Sequence, residues 1–154
     1  MRLKLLWVGK TQEAWVKTGI EEYAGRIKRY CPLEILEARE EKGAQAAVMR
    51  ERECERLVKL LPKGAKLVVL DERGDQLTSP ELANFLTKQR DQGTQDLVFA
   101  IGGAYGFTDG FRSQAFKAIS LSKMTLTHQM VRVFLLEQIY RGFTIMNGEP
   151  YHHE

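Results

Sequence analysis

Three stretches of the chain place glycine, hydroxyl, basic or thioether groups directly after apolar runs. They are Leu70-Asp71-Glu72-Arg73-Gly74, Ile101-Gly102-Gly103-Ala104-Tyr105-Gly106, and Ser120 through His128. Main chain opened by paired glycines lets a ligand approach more closely than a Cβ permits, although the same pair also serves a plain turn between strand and helix. The strip from Ser120 to His128 can pair its N–H and C=O groups with a flat heterocycle between walls made by Leu121, Met124 and Leu126. Equally, it can be a capped turn with Thr127 leading a helix. Ile101 stands where a G-x-G-x-x-G dinucleotide loop needs its first glycine, and no GK[ST] phosphate loop is present. The three histidines, His128, His152 and His153, form no Ser/His/Asp set, and no cysteine pair has zinc-ligand spacing, so no metal site is expected. A histidine titrating near neutrality could still act as a base at a site made by other residues.

These stretches need elements to hold them. Residues 3–8 and the runs Leu33-Glu34-Ile35-Leu36, Lys66–Leu70, Leu97–Ile101 and Ala118–Leu121 read as five strands. Between them lie helical patterns. One follows Thr11 as a possible cap and carries Trp15, Ile20, Tyr23, Ala24 and Ile27. A second spans 44–61 with Val48, Leu57, Val58 and Leu61 inward, and its Arg50-Glu51-Arg52-Glu53 run reads as a solvated face. A third starts at Ser79-Pro80-Glu81, with Ser79 as the capping hydroxyl, and a short one starts after Thr108. The last, about 128–142, is apolar nearly all round (Met130, Val131, Val133, Phe134, Leu135, Leu136, Ile139, Tyr140) and must be covered on more than one side, by the sheet and by a second subunit. Strands alternating with helices predict an α/β domain over residues 1–154, with a mostly parallel sheet of about five strands flanked by helices. In such sheets ligands gather beyond the carboxyl ends of the strands, where the three stretches fall.

Composition narrows the class. With 154 residues, 44% apolar and 28% charged, the chain is long and apolar enough to bury a core without a disulfide framework. Cys31 and Cys54 read as reduced thiols, and the apolar run Leu5–Val8 is too short for a signal peptide or a membrane span, so a cytoplasmic protein is expected. Net charge is only +3, but residues 111–148 hold Arg112, Lys117, Lys123, Arg132 and Arg141 against Glu137 alone. That basic third can meet an anion such as RNA, while the small total argues against a dedicated high-affinity RNA binder.

Taken together, Gly102-Gly103-Ala104-Tyr105-Gly106, the run from Leu121 to Val133, Glu137-Gln138-Ile139-Tyr140-Arg141 and the terminal Tyr151-His152 resemble one family. It is the small, single-domain branch of the SPOUT (trefoil-knotted) methyltransferases, which methylates N3 of a pseudouridine in large-subunit ribosomal RNA (23S). The resemblance spans essentially the full chain. It implies a C-terminal trefoil knot, a homodimer packed through the last helix, and S-adenosylmethionine held by Leu70, Gly102, Leu121, Ser122, Lys123, Met124, Thr125 and Leu126. It further implies the assembled ribosome as substrate, with no metal and no membrane. On this footing Arg132 and Arg141 are expected to place RNA phosphate or the base, and Tyr151 and His152 to close over the target, with His152 as the candidate proton acceptor. Glu137, four residues before Arg141, can simply pair with it. Relatives carry proline where this chain has Thr127, and an Arg or Lys after Tyr-His where it has His153, followed by Glu154. His153 is thus the candidate substitute for an RNA-contacting cation. Two rivals stand: a nucleotide-dependent doubly wound enzyme, and a non-catalytic ribosome-associated RNA-binding protein.

Overall fold

The computed structural model describes residues 1–153; Glu154 of the tail lies outside the described residues. Five strands, β1 (Arg2–Val8), β2 (Leu33–Ala38), β3 (Lys66–Gln76), β4 (Asp96–Ile101) and β5 (Lys117–Ser120), form one sheet in the order β2-β1-β4-β3-β5. Every pairing is parallel. The helices are α1 (Ala14–Ile27), α2 (Ala46–Leu60), α3 (Ser79–Asp91), α4 (Asp109–Ser113) and α5 (His128–Met146).

Strand alternation sorts the side chains between two cores. Leu3, Leu5, Trp7, Val68, Leu97, Phe99 and Ile101 point to one face. There Leu82 and Leu86 of α3 and Leu135, Leu136, Ile139 and Phe143 of α5 meet them, with Ile27 of α1. Leu6, Val8, Leu67, Val69, Val98 and Ala100 point to the other, against Cys54 and Leu57 of α2 and Phe107 and Phe111 near α4. All six residues of β4 are buried, because both its faces and both its edges are covered.

Helix starts depart from expectation in two places. Thr11 does not cap α1; the helix begins at Ala14, and Glu13 at its cap position makes no side-chain bond. The Thr11 hydroxyl is instead engaged by Arg132. Trp15 is consequently 52% exposed, and Val16 takes the inward position. For α3 the cap is Thr78 rather than Ser79: its hydroxyl accepts from the Glu81 N–H, and the Glu81 carboxylate accepts from the Thr78 N–H. On α2 the inward face is Met49, Glu53, Cys54 and Leu57, whereas Val48 and Val58 are exposed. The charged run is therefore not wholly solvated, since Glu53 is 3% exposed.

Helix α5 runs four residues beyond the expected end, and α1 and α3 cover much of its circumference within one protomer. Thr127 caps it, its hydroxyl accepting from the Met130 N–H at 3.1 Å. Thr127→Ala is expected to cost about 1 kcal/mol in urea unfolding, while Thr127→Ser keeps the cap and costs little.

β3 continues past Asp71 to Gln76, and this extension shapes the site. Leu70 and Asp75 both pair with Ile119, so residues 71–74 are looped out of the ladder between them. Gly74 lies flat on the partner strand: a Cβ there would be 2.6 Å from the carbonyl carbon of Ala118 and from the nitrogen of Ile119. No side chain fits between the two backbones.

Candidate cofactor site

The carboxyl ends of β3, β4 and β5 converge on a cavity of about 550 Å³. Its walls come from the ends of those strands, from the glycine loop after β4 and from the strip between β5 and α5. The structure brings together all eight residues expected at a cofactor: Leu70, Gly102, Leu121, Ser122, Lys123, Met124, Thr125 and Leu126. Met124 is 80% exposed, so it stands at the mouth rather than forming the apolar wall expected of it.

Two features suit this cavity to a nucleoside. Gly102 and Gly103 are buried, and a Cβ on Gly102 would meet the Gly106 backbone at 3.2 Å, so the loop folds tightly only without side chains. Residues 122–126 make no backbone–backbone hydrogen bond among the described residues. The protein itself satisfies only part of that strip: Ser122 Oγ accepts from the Met124 N–H at 2.9 Å, and Ser120 Oγ donates to the Ser122 carbonyl at 3.0 Å. The remaining donors and acceptors are open to a heterocycle.

Asp71 stands at the cavity wall. It accepts from the Arg112 side chain and, at 2.9 Å, from the Arg73 N–H. Burial raises its pKa, but these donors and the Arg112 and Arg73 charges outweigh that and hold it below the ordinary 3.8. With the folded value depressed, the stabilisation is full above the unfolded pKa of 3.8 and is lost as pH falls through the lower folded value. The stability difference between the native chain and Asp71→Asn should accordingly shrink on acidification below about pH 4, followed by urea unfolding in a pH series.

The expected basic and tail residues lie elsewhere. Arg132 is 2% exposed and does not reach solvent. Its guanidinium donates to the carbonyls of Val8 at 2.9 Å and Gly9 at 3.0 Å and to Thr11 Oγ1 at 2.8 Å, and it lies 4.8 Å from the Trp7 ring centroid. The expected phosphate or base contact is not formed in this protomer: the guanidinium is buried and both its Nη atoms donate to protein around the end of β1, while its buried Nε has no partner. Arg141 is partly buried and pairs with Glu137 at 2.6 Å, the helix pair anticipated from the spacing. It also stacks on Tyr151, 4.7 Å from the ring centroid, and places its Nη1 3.2 Å from His152 Nδ1. The Tyr151 hydroxyl donates to Glu137 at 2.9 Å. Burial, followed by that bond, pushes its pKa up, so the phenol remains protonated and is no base at neutral pH. His153 is exposed.

The tail thus packs on Glu137, Tyr140 and Arg141, whereas the cavity meets α5 at His128 and Val131. At 1.5 Å rise per residue these points are roughly 9–20 Å apart along the helix. One protomer does not bring Tyr151, His152 or His153 to its own cavity wall. Among the lining residues not anticipated at the site from sequence are two charged ones, Arg112 and Arg50. Arg50 sits in a mixed-charge helix run, where nothing but the helix register distinguishes it from its solvated neighbours.

Residues 1–152 match the family described as "Predicted SPOUT methyltransferase". The "Ribosomal RNA large subunit methyltransferase H" of Geobacter sp. (strain M21) is 87% identical over 154 residues, covering 100% of both chains. The protein so named in Citrifermentans bemidjiense (strain ATCC BAA-1014 / DSM 16622 / JCM 12645 / Bem) is 86% identical over the same full length. Among solved structures, the SpoU methyltransferase AviRb from Streptomyces viridochromogenes aligns at TM-score 0.49 and 15% identity, over 96% of this chain and 61% of that one, too remote to add to the argument. On the full-length match and these identities, the chain belongs to the SPOUT methyltransferases.

Proposed function

We propose that this chain transfers the methyl group of S-adenosylmethionine to N3 of a pseudouridine in large-subunit (23S) ribosomal RNA, working as a homodimer on the assembled ribosome in the cytoplasm. The observation that carries the reading is the cavity beyond β3, β4 and β5, walled by a glycine loop without room for Cβ atoms and by a strip of unpaired main chain. Those residues fit the cofactor: the 121–126 backbone can read the adenine edge, and Leu70, Leu121 and Leu126 can flank the ring. When bound, the cofactor supplies a methyl group made electrophilic by its sulfonium sulfur.

The chain's own part is to hold, orient and deprotonate. Leu70, Gly102 and residues Leu121 to Leu126 bind the donor. The target nitrogen carries a proton that must leave, and His152, which lies beside Arg141, is the candidate acceptor. Because Tyr151 and His152 sit at the far end of α5 from their own cavity, the tail of a second copy is the one that would close over it. Helix α5 leaves Met130 exposed and Val131, Val133 and Phe134 half-buried for that contact. The C-terminal segment is taken as threaded into a trefoil knot, as the family resemblance implies. The names of the full-length relatives support the ribosomal substrate, and a dimer on a shaped particle supplies phosphate contacts that one small basic face lacks.

Calorimetric titration separates this reading from its rivals. Binding of S-adenosylmethionine supports the enzyme; ribosome association without it supports an RNA-binding protein; binding of NAD supports a doubly wound nucleotide enzyme. His152→Ala is expected to lower methyl transfer by about 100-fold with cofactor binding intact, and full transfer by that variant would remove His152 as proton acceptor.

A further inference from the structure

Helix α2 carries two side chains, Arg50 at the cavity wall and Glu53 behind Gly103, each with a buried polar atom that the protein leaves unmatched. Glu53 is 3% exposed; its Oε2 accepts from the Glu41 N–H at 3.0 Å, but its buried Oε1 has no hydrogen-bond partner. That oxygen lies 2.6 Å from where a Cβ on Gly103 would sit, so the missing side chain brings a carboxylate to the glycine wall. Three residues earlier on the same helix face, Arg50 lines the cavity, and its buried Nε also has no partner. A buried charged group left unpaired costs free energy that a ligand of opposite charge recovers.

The other charges nearby are accounted for. Asp71 is held by Arg112 and Arg73, and Arg112 by Asp71 and Asp109. Glu72 and Lys123 are exposed. A third residue of α2 ties the helix to the same loop, since Cys54 Sγ accepts from the Thr108 N–H at 3.4 Å. A guanidinium with an unpartnered Nε and a carboxylate with an unpartnered Oε1, three residues apart on one helix, complement a zwitterion.

Resting on the proposed methyl-donor site, we propose that α2 reads the amino-acid end of the cofactor: Arg50 takes its α-carboxylate and Glu53 its α-ammonium. Both are positioning and specificity residues for the donor. They would reject nucleosides lacking that end.

Titration calorimetry with three neutral-sulfur ligands tests this. S-adenosylhomocysteine has both charged groups, S-adenosyl-3-thiopropylamine only the ammonium, and 5′-methylthioadenosine neither. Arg50→Met is expected to weaken S-adenosylhomocysteine about 10- to 100-fold and leave the other two within about two-fold. Glu53→Gln, which keeps an acceptor for the Glu41 N–H, should weaken the first two about 10- to 100-fold and spare methylthioadenosine. Unchanged S-adenosylhomocysteine binding in either variant overturns the assignment, and so does equal loss of all three ligands, the mark of a merely structural role. If the native chain binds none of the three, the donor site itself is wrong; if it binds and the variants fail to discriminate, only the assignment of α2 is wrong.

Discussion

Gly74→Ala is expected to lower the stability of the fold by about 3 kcal/mol and to take cofactor binding with it. The added methyl group would sit 2.6 Å from two backbone atoms of Ala118 and Ile119 and 2.7 Å from the Ala118 carbonyl oxygen. A clash with a flexible side chain relaxes through a rotamer change, but here both strands must separate. The separation loosens β5, and β5 leads directly into the 121–126 strip that walls the cavity. Gly25→Ala provides the control, because a Cβ at Gly25 meets nothing within 4 Å and the position lies inside α1. Alanine there should be neutral or stabilising by up to about 1 kcal/mol. Thermal unfolding of the two variants, with a drop of about 10 °C for Gly74→Ala alone, checks the difference.

Arg132→Met is the second large effect, again about 3 kcal/mol. Methionine keeps much of the volume but leaves the Val8 and Gly9 carbonyls without their buried donor and removes the cation over Trp7. Burial pushes the Arg132 pKa down, and the Glu37 and Glu40 carboxylates oppose that. The side chain ties the end of β1 to α5, so its loss should raise urea sensitivity of the free protein. An RNA-contacting arginine behaves differently: its removal weakens ribosome binding and the salt dependence of that binding while stability stays put. Urea unfolding alongside ribosome pull-down therefore distinguishes the two roles.

The contrast between Arg132 and the strands shows what a sequence of this kind reveals. Leu97–Ile101 and Lys66–Leu70 are legible because a strand buried on both faces is an unbroken apolar run, and the cavity is legible because it must lie beyond the ends of such strands. Thr127 and Thr108 are legible as caps because a hydroxyl three residues ahead of a free N–H is a local relation. Thr11 has the same local signal, yet a residue 121 positions away claims its hydroxyl. Arg132 looks like every other basic residue of the C-terminal third until the register of α5 turns it inward. Glu53 is hidden in the same way, within a charged run whose Glu51, Arg52 and Glu55 do face water. The continuation of β3 through Asp71 to Gln76 was also concealed, because its pairing with β5 is broken by the looped residues 71–74. Local spacing reports elements and caps; which polar group ends up inside is decided by partners distant in the chain.

On the proposed function, the cavity at the ends of β3, β4 and β5 delivers a methyl group to ribosomal RNA. Incubation of the purified chain with methyl-labelled S-adenosylmethionine and ribosomes lacking the modification, followed by mapping of the label, tests it most directly. The expected result is one labelled nucleotide in the large-subunit RNA, a pseudouridine carrying the methyl group on N3. Label absent from that RNA, with the cofactor bound and the ribosomes intact, would contradict it.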